Sequence, residues 1–97
     1  MELILLKQAL EDRDYWKRSG NKPIMKRISK LLADILEHPF TGIGKPEPLV
    51  GNLSGKWSRR INSEHRIVYQ VSGDKIYVYV YVFSMRYHYS KQQKKTL

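Results

Sequence analysis

Residues 76–83 read Ile76-Tyr77-Val78-Tyr79-Val80-Tyr81-Val82-Phe83. Branched aliphatic and aromatic side chains alternate without a break, the period-two pattern of a β-strand. The row Ile76, Val78, Val80, Val82 is the better core face. The tyrosine row suits a half-exposed face or one covered by a partner. Continued to about Tyr89, the alternation sets Ser84, Arg86 and His88 on the valine side unless a bulge intervenes. Gly73-Asp74 before the run is a two-residue hairpin turn. It joins the run to a strand at His65–Val71, itself joined through Asn62-Ser63 to a strand at Lys56–Ile61.

Ahead of these strands the period changes. Ile24, Ile28, Leu31, Leu32, Ile35 and Leu36 make one helical stripe, with Lys26, Arg27 and Lys30 on the other side. Pro23 suits the first turn, and His38-Pro39 ends the helix, because a residue before proline is pushed out of the α region. A helix over Lys7–Arg18 precedes it, with Leu6, Ala9, Leu10 and Trp16 on one face, and Leu3–Leu6 is a short first strand. Between helix and sheet, His38 to Gly55 holds three prolines and four glycines, a long loop of the kind that carries function when ordered. The order is β-α-α-β-β-β. It predicts an α+β domain: an antiparallel sheet with both helices on one face.

The chain has 97 residues, 41% hydrophobic, enough for one domain with a modest core. Eighteen Lys and Arg against nine Asp and Glu give a net charge of +9, which calls for an anionic partner, most often nucleic acid. Cysteine is absent, which excludes disulfides and thiolate metal sites and fits a cytoplasmic setting. His38, His65 and His88 stand apart with no metal-ligand spacing, so neither metal nor cofactor is expected. The opening Met1-Glu2-Leu3-Ile4 lacks the positive charge of a signal peptide, and no apolar run approaches the roughly 20 residues that span a bilayer.

The cations concentrate. Lys45, Lys56, Arg59, Arg60, Arg66 and Arg86 lie near Trp57, Tyr69, Tyr87 and Tyr89 in the sequence. Arginine forks suit phosphate oxygens and aromatic faces stack unpaired bases, a combination for single-stranded RNA. Trp57 fits the core better than the surface. RNA can be cut without a metal, because its own 2′-OH attacks the neighbouring phosphorus. The protein must supply a base, cationic donors for the phosphoryl oxygens and an acid for the leaving 5′-oxygen. Glu47, held between Pro46 and Pro48, is a candidate base. Arg66 is a candidate phosphate cation, His88 a candidate proton donor or acceptor, and Tyr89 a positioning or stacking group. Each also fits a plainer role: Glu47 as a solvated loop acid, Arg66 as an exposed strand residue, His88 as a polar strand end.

Five ordered motifs carry a resemblance. Lys45-Pro46-Glu47-Pro48-Leu49, Asn52-Leu53-Ser54-Gly55, Trp57-Ser58-Arg59-Arg60-Ile61, Glu64-His65-Arg66 with Val68-Tyr69, and Arg86-Tyr87-His88-Tyr89 resemble the YoeB (Txe/YoeB) toxins of the RelE superfamily. The resemblance spans residues 1–89, leaving 90–97 as a polar, basic tail whose Lys91, Lys94 and Lys95 suit RNA. It implies the RelE-like microbial RNase fold and a type II toxin that cuts mRNA in the ribosomal A site and halts translation. Glu47 matches the family's general base, Arg66 its phosphate-stabilising arginine, His88 its general acid and Tyr89 its substrate-positioning tyrosine. Arg59 and Arg60 match basic residues of RNA or ribosome contact, while Val50 stands where the family pattern has a lysine. The resemblance also implies a YefM/Phd-like antitoxin and a homodimer. The competing reading is a non-catalytic basic module that binds RNA or the ribosome on the same fold.

Overall fold

The computed structural model describes residues 1–80. Strand β1 (Glu2–Leu5) leads into helix α1 (Lys7–Ser19) and helix α2 (Lys22–Glu37). Then come a two-residue strand β2 (Glu47–Pro48), a single 3-10 turn (Gly51–Leu53), and strands β3 (Trp57–Arg60), β4 (Arg66–Ser72) and β5 (Lys75–Val80). The strands form one sheet in the order β1-β5-β4-β3-β2.

Two features differ from the sequence-based expectation. The loop from His38 to Gly55 contributes a strand of its own, β2, which extends the sheet beyond β3. The sheet is also not wholly antiparallel, because β1 pairs in parallel with β5, Leu3 opposite Ile76 and Leu5 opposite Val78. Parallel neighbours need a long connection, and here it runs through both helices and the hairpins. The alternation of a four-residue edge strand does not reveal that partner.

Both helices pack on one face. Ala9 and Trp16 of α1 and Ile24, Ile28, Leu31 and Ile35 of α2 form one cluster with Ile67, Tyr69, Ile76 and Val78 of the sheet. The α2 stripe is the one expected from its spacing. Asn21 caps α2 by accepting a hydrogen bond from the Ile24 amide at 3.2 Å, and Pro23 sits in its first turn. The α1 face differs: Ala9, Asp12 and Trp16 are buried, whereas Leu10 is exposed. Ala9 and Trp16 are seven residues apart, two helical turns, and Leu10 lies about 100° round from Ala9. Asp12 occupies the buried position and accepts from Gln8 Nε2 at 3.0 Å.

On β5 the aliphatic row faces the helices, as expected: Ile76 and Val78 are fully buried, and Tyr77 and Tyr79 are half-buried on the other side. The register between β4 and β5 slips between Val68 and Tyr69, so that Tyr69 pairs with Val78 but Val68 with Val80. Tyr79 is thus the extra residue of a one-residue bulge, which sequence alternation alone does not reveal. The continuation of this strand toward Tyr89, and with it Ser84, Arg86, His88 and Tyr89, lies outside the described residues.

Candidate active site on the face of the sheet opposite the helices

Directly paired residues of antiparallel strands face the same way. Ile67 and Tyr69 point to the helices, so Arg66, Val68 and Gln70 point to the opposite face of the sheet. Glu47 pairs with Ser58 and Ser58 with Val68, which puts Glu47 on that face too. Arg60 pairs with Arg66 one step away. Residues 47 and 66, distant in sequence, thus meet across three strands: Arg66 Nη1 lies 3.7 Å from Glu47 Oε1. The Glu47 side chain is 53% exposed and that of Arg66 28%.

Two arginines directly opposite each other repel. One carboxylate at 3.7 Å offsets one of them, and Arg60 remains exposed beside the pair. Lys56 adds a further cation, its ammonium 4.6 Å from the centre of the Tyr79 ring. Tyr79 in turn donates to Gln70 Oε1 at 3.0 Å. The result is a net-positive surface with a half-exposed carboxylate and tyrosine faces within it, suited to a phosphodiester and its bases. Ser58, between Glu47 and Val68 in the ladder, is fully buried, and its hydroxyl has no hydrogen-bond partner among the described residues.

Glu47 owes its position to the loop before it. The pre-proline bias toward extended backbone is realised, since Glu47-Pro48 is the strand β2. Lys45, two residues earlier, is exposed and left-handed at φ 52°, the one non-glycine residue with positive φ among the described residues. Such a conformation costs about 1–3 kcal/mol and persists only where neighbours enforce it. Arg60 N–H bonds the Gly44 carbonyl at 2.7 Å, and Gly44 packs so closely that a Cβ would lie 2.7 Å from Leu31 Cδ2.

Arg59 is the main correction. Its expected contact with RNA is contradicted by complete burial. It pairs with Ile67, on the helix side of the sheet, so its guanidinium enters the interior under the loop. All five N–H donors are engaged there. Nε donates to the Tyr69 hydroxyl (3.1 Å); Nη1 to Asp34 Oδ2 (2.6 Å) and the Ile43 carbonyl (2.9 Å); Nη2 to the Thr41 carbonyl (2.9 Å) and the His38 carbonyl. Tyr69, a candidate base-stacking residue by sequence, is likewise fully buried, and its hydroxyl donates to the Pro39 carbonyl at 2.6 Å. Burial raises the Tyr69 pKa, which keeps the phenol protonated for that bond. The hydrogen bond from Arg59 holds the Asp34 carboxyl below its ordinary value, against the opposing effect of desolvation. Arginine in a basic, aromatic stretch reads as an RNA contact; only its parity, odd on β3 with Trp57, marks Arg59 as facing the helices.

Trp57 is half-buried against the core with its ring 4.9 Å from that of Phe40, in line with a core role. Val50 is 83% exposed and adds no charge to the loop. Among the described residues no cluster of three or more His, Asp or Glu is placed to hold a metal ion, and no helix is long and apolar enough to cross a membrane. Arg86, His88 and Tyr89 lie outside the described residues, so of the four expected catalytic residues the geometry joins Glu47 and Arg66.

Residues 5–89 match the family model described as the YoeB-like toxin of bacterial type II toxin–antitoxin systems. The chain is 46% identical over 89 residues to the toxin YoeB of Escherichia coli K12, covering 92% of this chain and all of that one. Its fold is similar to a YoeB/ParE toxin from Agrobacterium tumefaciens, at a TM-score of 0.81 and 39% identity, covering 86% of this chain and 98% of that one. It is also similar to a YoeB dimer from Staphylococcus aureus, at 0.78 and 39%, covering 86% and 95%. A heterotetrameric YoeB–YefM toxin–antitoxin complex from the same organism matches at 0.77 and 39%, with the same coverage.

Proposed function

This chain belongs to the YoeB-like toxins of bacterial type II toxin–antitoxin systems, and from that premise we propose that Glu47, Arg66, His88 and Tyr89 carry its cleavage of mRNA. The toxin is an endoribonuclease that stops translation by cutting mRNA on the ribosome. Glu47 takes the proton of a ribose 2′-OH as its oxygen attacks the adjacent phosphorus. Arg66 stabilises the charge that develops on the non-bridging oxygens. The bond to the 5′-oxygen breaks as His88 delivers a proton to it, leaving a 2′,3′-cyclic phosphate and a 5′-hydroxyl end. Tyr89 positions the scissile linkage. The residue types and the family resemblance support the roles of His88 and Tyr89. The observation that carries the reading is the 3.7 Å approach of Glu47 and Arg66 on a positively charged face of the sheet, opposite α1 and α2.

Lys45, Lys56, Arg60 and Arg86 hold the flanking phosphates. The substrate is mRNA in the ribosomal A site, the setting is the cytoplasm, and no metal or cofactor takes part. A YefM-like antitoxin neutralises the toxin, which dimerises; both assemblies exist for relatives. The test is a purified translation reaction followed by primer extension on the transcript. Glu47→Ala and His88→Ala each lower cutting by about 10²–10⁴-fold, the usual worth of an acid or base. Both retain the parent's circular dichroism spectrum. Undiminished cutting by both variants would reject the assignment. RNA binding with no cut ends by the parent would instead favour a non-catalytic module.

A further inference from the structure

The charges of α2 run against its own dipole. A helix favours acids in its first turn and bases in its last. α2 has no acid in its first turn and no base in its last. Its cations, Lys22, Lys26, Arg27 and Lys30, instead lie among its first nine residues, with Lys22 in the first turn itself, and Glu37 ends it. Lys22, Lys26 and Lys30 recur every four residues, so they line one stripe about 12 Å long and repel one another. That stripe is opposite Ile24, Ile28, Leu31 and Ile35, which face the sheet. None of the four cations has an ion-pair partner among the described residues.

We propose that the outer face of α2 is a second RNA-binding surface, on the far side of the molecule from the catalytic face, which grips the phosphate backbone of double-helical RNA. The proposal rests on the ribosome-acting reading above and extends it. Charge complementarity identifies the occupant: local electrostatics disfavour these cations in the free protein, and an anion reverses that sign. The lack of aromatics identifies the form of RNA. The exposed residues of α2 are Lys22, Pro23, Lys26, Ser29, Lys30, Ala33 and Glu37. This surface therefore has charge without a stacking platform, whereas the catalytic face has Tyr77 and Tyr79. A face that holds phosphates and ignores bases suits a duplex, whose bases are already stacked and whose deep groove side chains do not read. The catalytic face takes the single strand, and the α2 face takes the folded RNA around it.

The test compares two charge-reversed forms of the full chain in a Glu47→Gln background. One carries Lys26→Glu and Lys30→Glu. The other carries Lys7→Glu and Arg13→Glu on α1, and so makes the same change in net charge elsewhere. Each is titrated with a short RNA duplex over a series of salt concentrations. The α2 form is expected to lose on the order of tenfold or more in affinity, and its salt slope falls by about 2, one for each phosphate contact removed. The α1 form is expected to stay within a factor of about 3 of the parent, because contacts rather than net charge set the slope. Both sites are exposed, and Lys26→Glu sets an acid one turn from Lys22, so the thermal midpoint of the α2 form stays close to the parent's. Equal losses in the two forms would overturn the proposal, as would an undiminished affinity of the α2 form. Retained duplex binding with weakened antitoxin binding would also overturn it and assign the face to an acidic protein. Transcript cutting is not read in this titration, so failure of the nuclease reading and failure of this proposal are seen separately.

Discussion

Arg59→Lys is a sharp test of the architecture, because a lysine there would be conservative for an RNA contact and is not conservative for the role the structure gives it. The guanidinium satisfies five acceptors with five donors: Tyr69 Oη, Asp34 Oδ2 and the carbonyls of His38, Thr41 and Ile43. An ammonium has three donors on one nitrogen and cannot reproduce the planar fork. At least two acceptors therefore lose their partner. A buried acceptor without a partner costs about 1–3 kcal/mol, and the loop carbonyls, being partly accessible, fall at the low end. The sum is a loss of about 2–4 kcal/mol, a large share of the roughly 5–15 kcal/mol that stabilises a domain of this size. In urea the midpoint falls by about 1–3 M with the slope unchanged. The thermal midpoint falls by about 10–30 °C. Equilibrium unfolding in a Glu47→Gln background reads this directly, since Trp16 and Trp57 both pack against the core and report its loss by fluorescence. Arg60→Lys is the internal control, being exposed and expected to stay within about 0.5 kcal/mol of the parent. If Arg59→Lys were as stable as Arg60→Lys and instead weakened RNA binding, the guanidinium would belong to the RNA interface and the buried hub would be wrong.

The same hub makes two further predictions. Gly42→Ala is expected to destabilise the fold by about 1–3 kcal/mol more than Gly51→Ala does. Both glycines have positive φ, 121° and 68°, but a Cβ at Gly42 would overlap the Asp34 carboxylate whereas one at Gly51 meets nothing within 4 Å; equal thermal midpoints for the two variants would refute this. Asp34 has a folded pKa below its ordinary value of 3.8, chiefly through the hydrogen bond from Arg59. Its contribution is thus complete above that value and is lost as pH falls through the lower, folded one. The stability gap between the parent and Asp34→Asn should be constant from about pH 5 to 8 and shrink below about pH 4, as followed by urea midpoints across pH. A gap undiminished at about pH 3 would mean that the carboxylate charge is not what Arg59 holds.

Sequence by itself determined the elements whose signal is periodic and local. The α2 stripe, the alternation of β5 and the turns at Asn62-Ser63 and Gly73-Asp74 each follow from spacing or turn chemistry a few residues long, and the five motifs carried the family. It also singled out Glu47 and Arg66, by residue type, proline flanks and resemblance. Tertiary structure decided the pairings that connect distant segments. The parallel partner of β1, the addition of β2 to the sheet and the slip between Val68 and Tyr69 depend on which strands meet, and a hydrophobic pattern records facing, not partners. Arg59 and Arg60 show the same limit at one residue's resolution. They are adjacent and chemically identical, yet the pleat sends one inward to Asp34 and the other out beside Arg66. Composition assigns both to RNA; only a strand whose two faces meet different surroundings, with the helices and the loop on one side and Glu47 and Arg66 on the other, separates the residue that holds the loop from the one left exposed for phosphate.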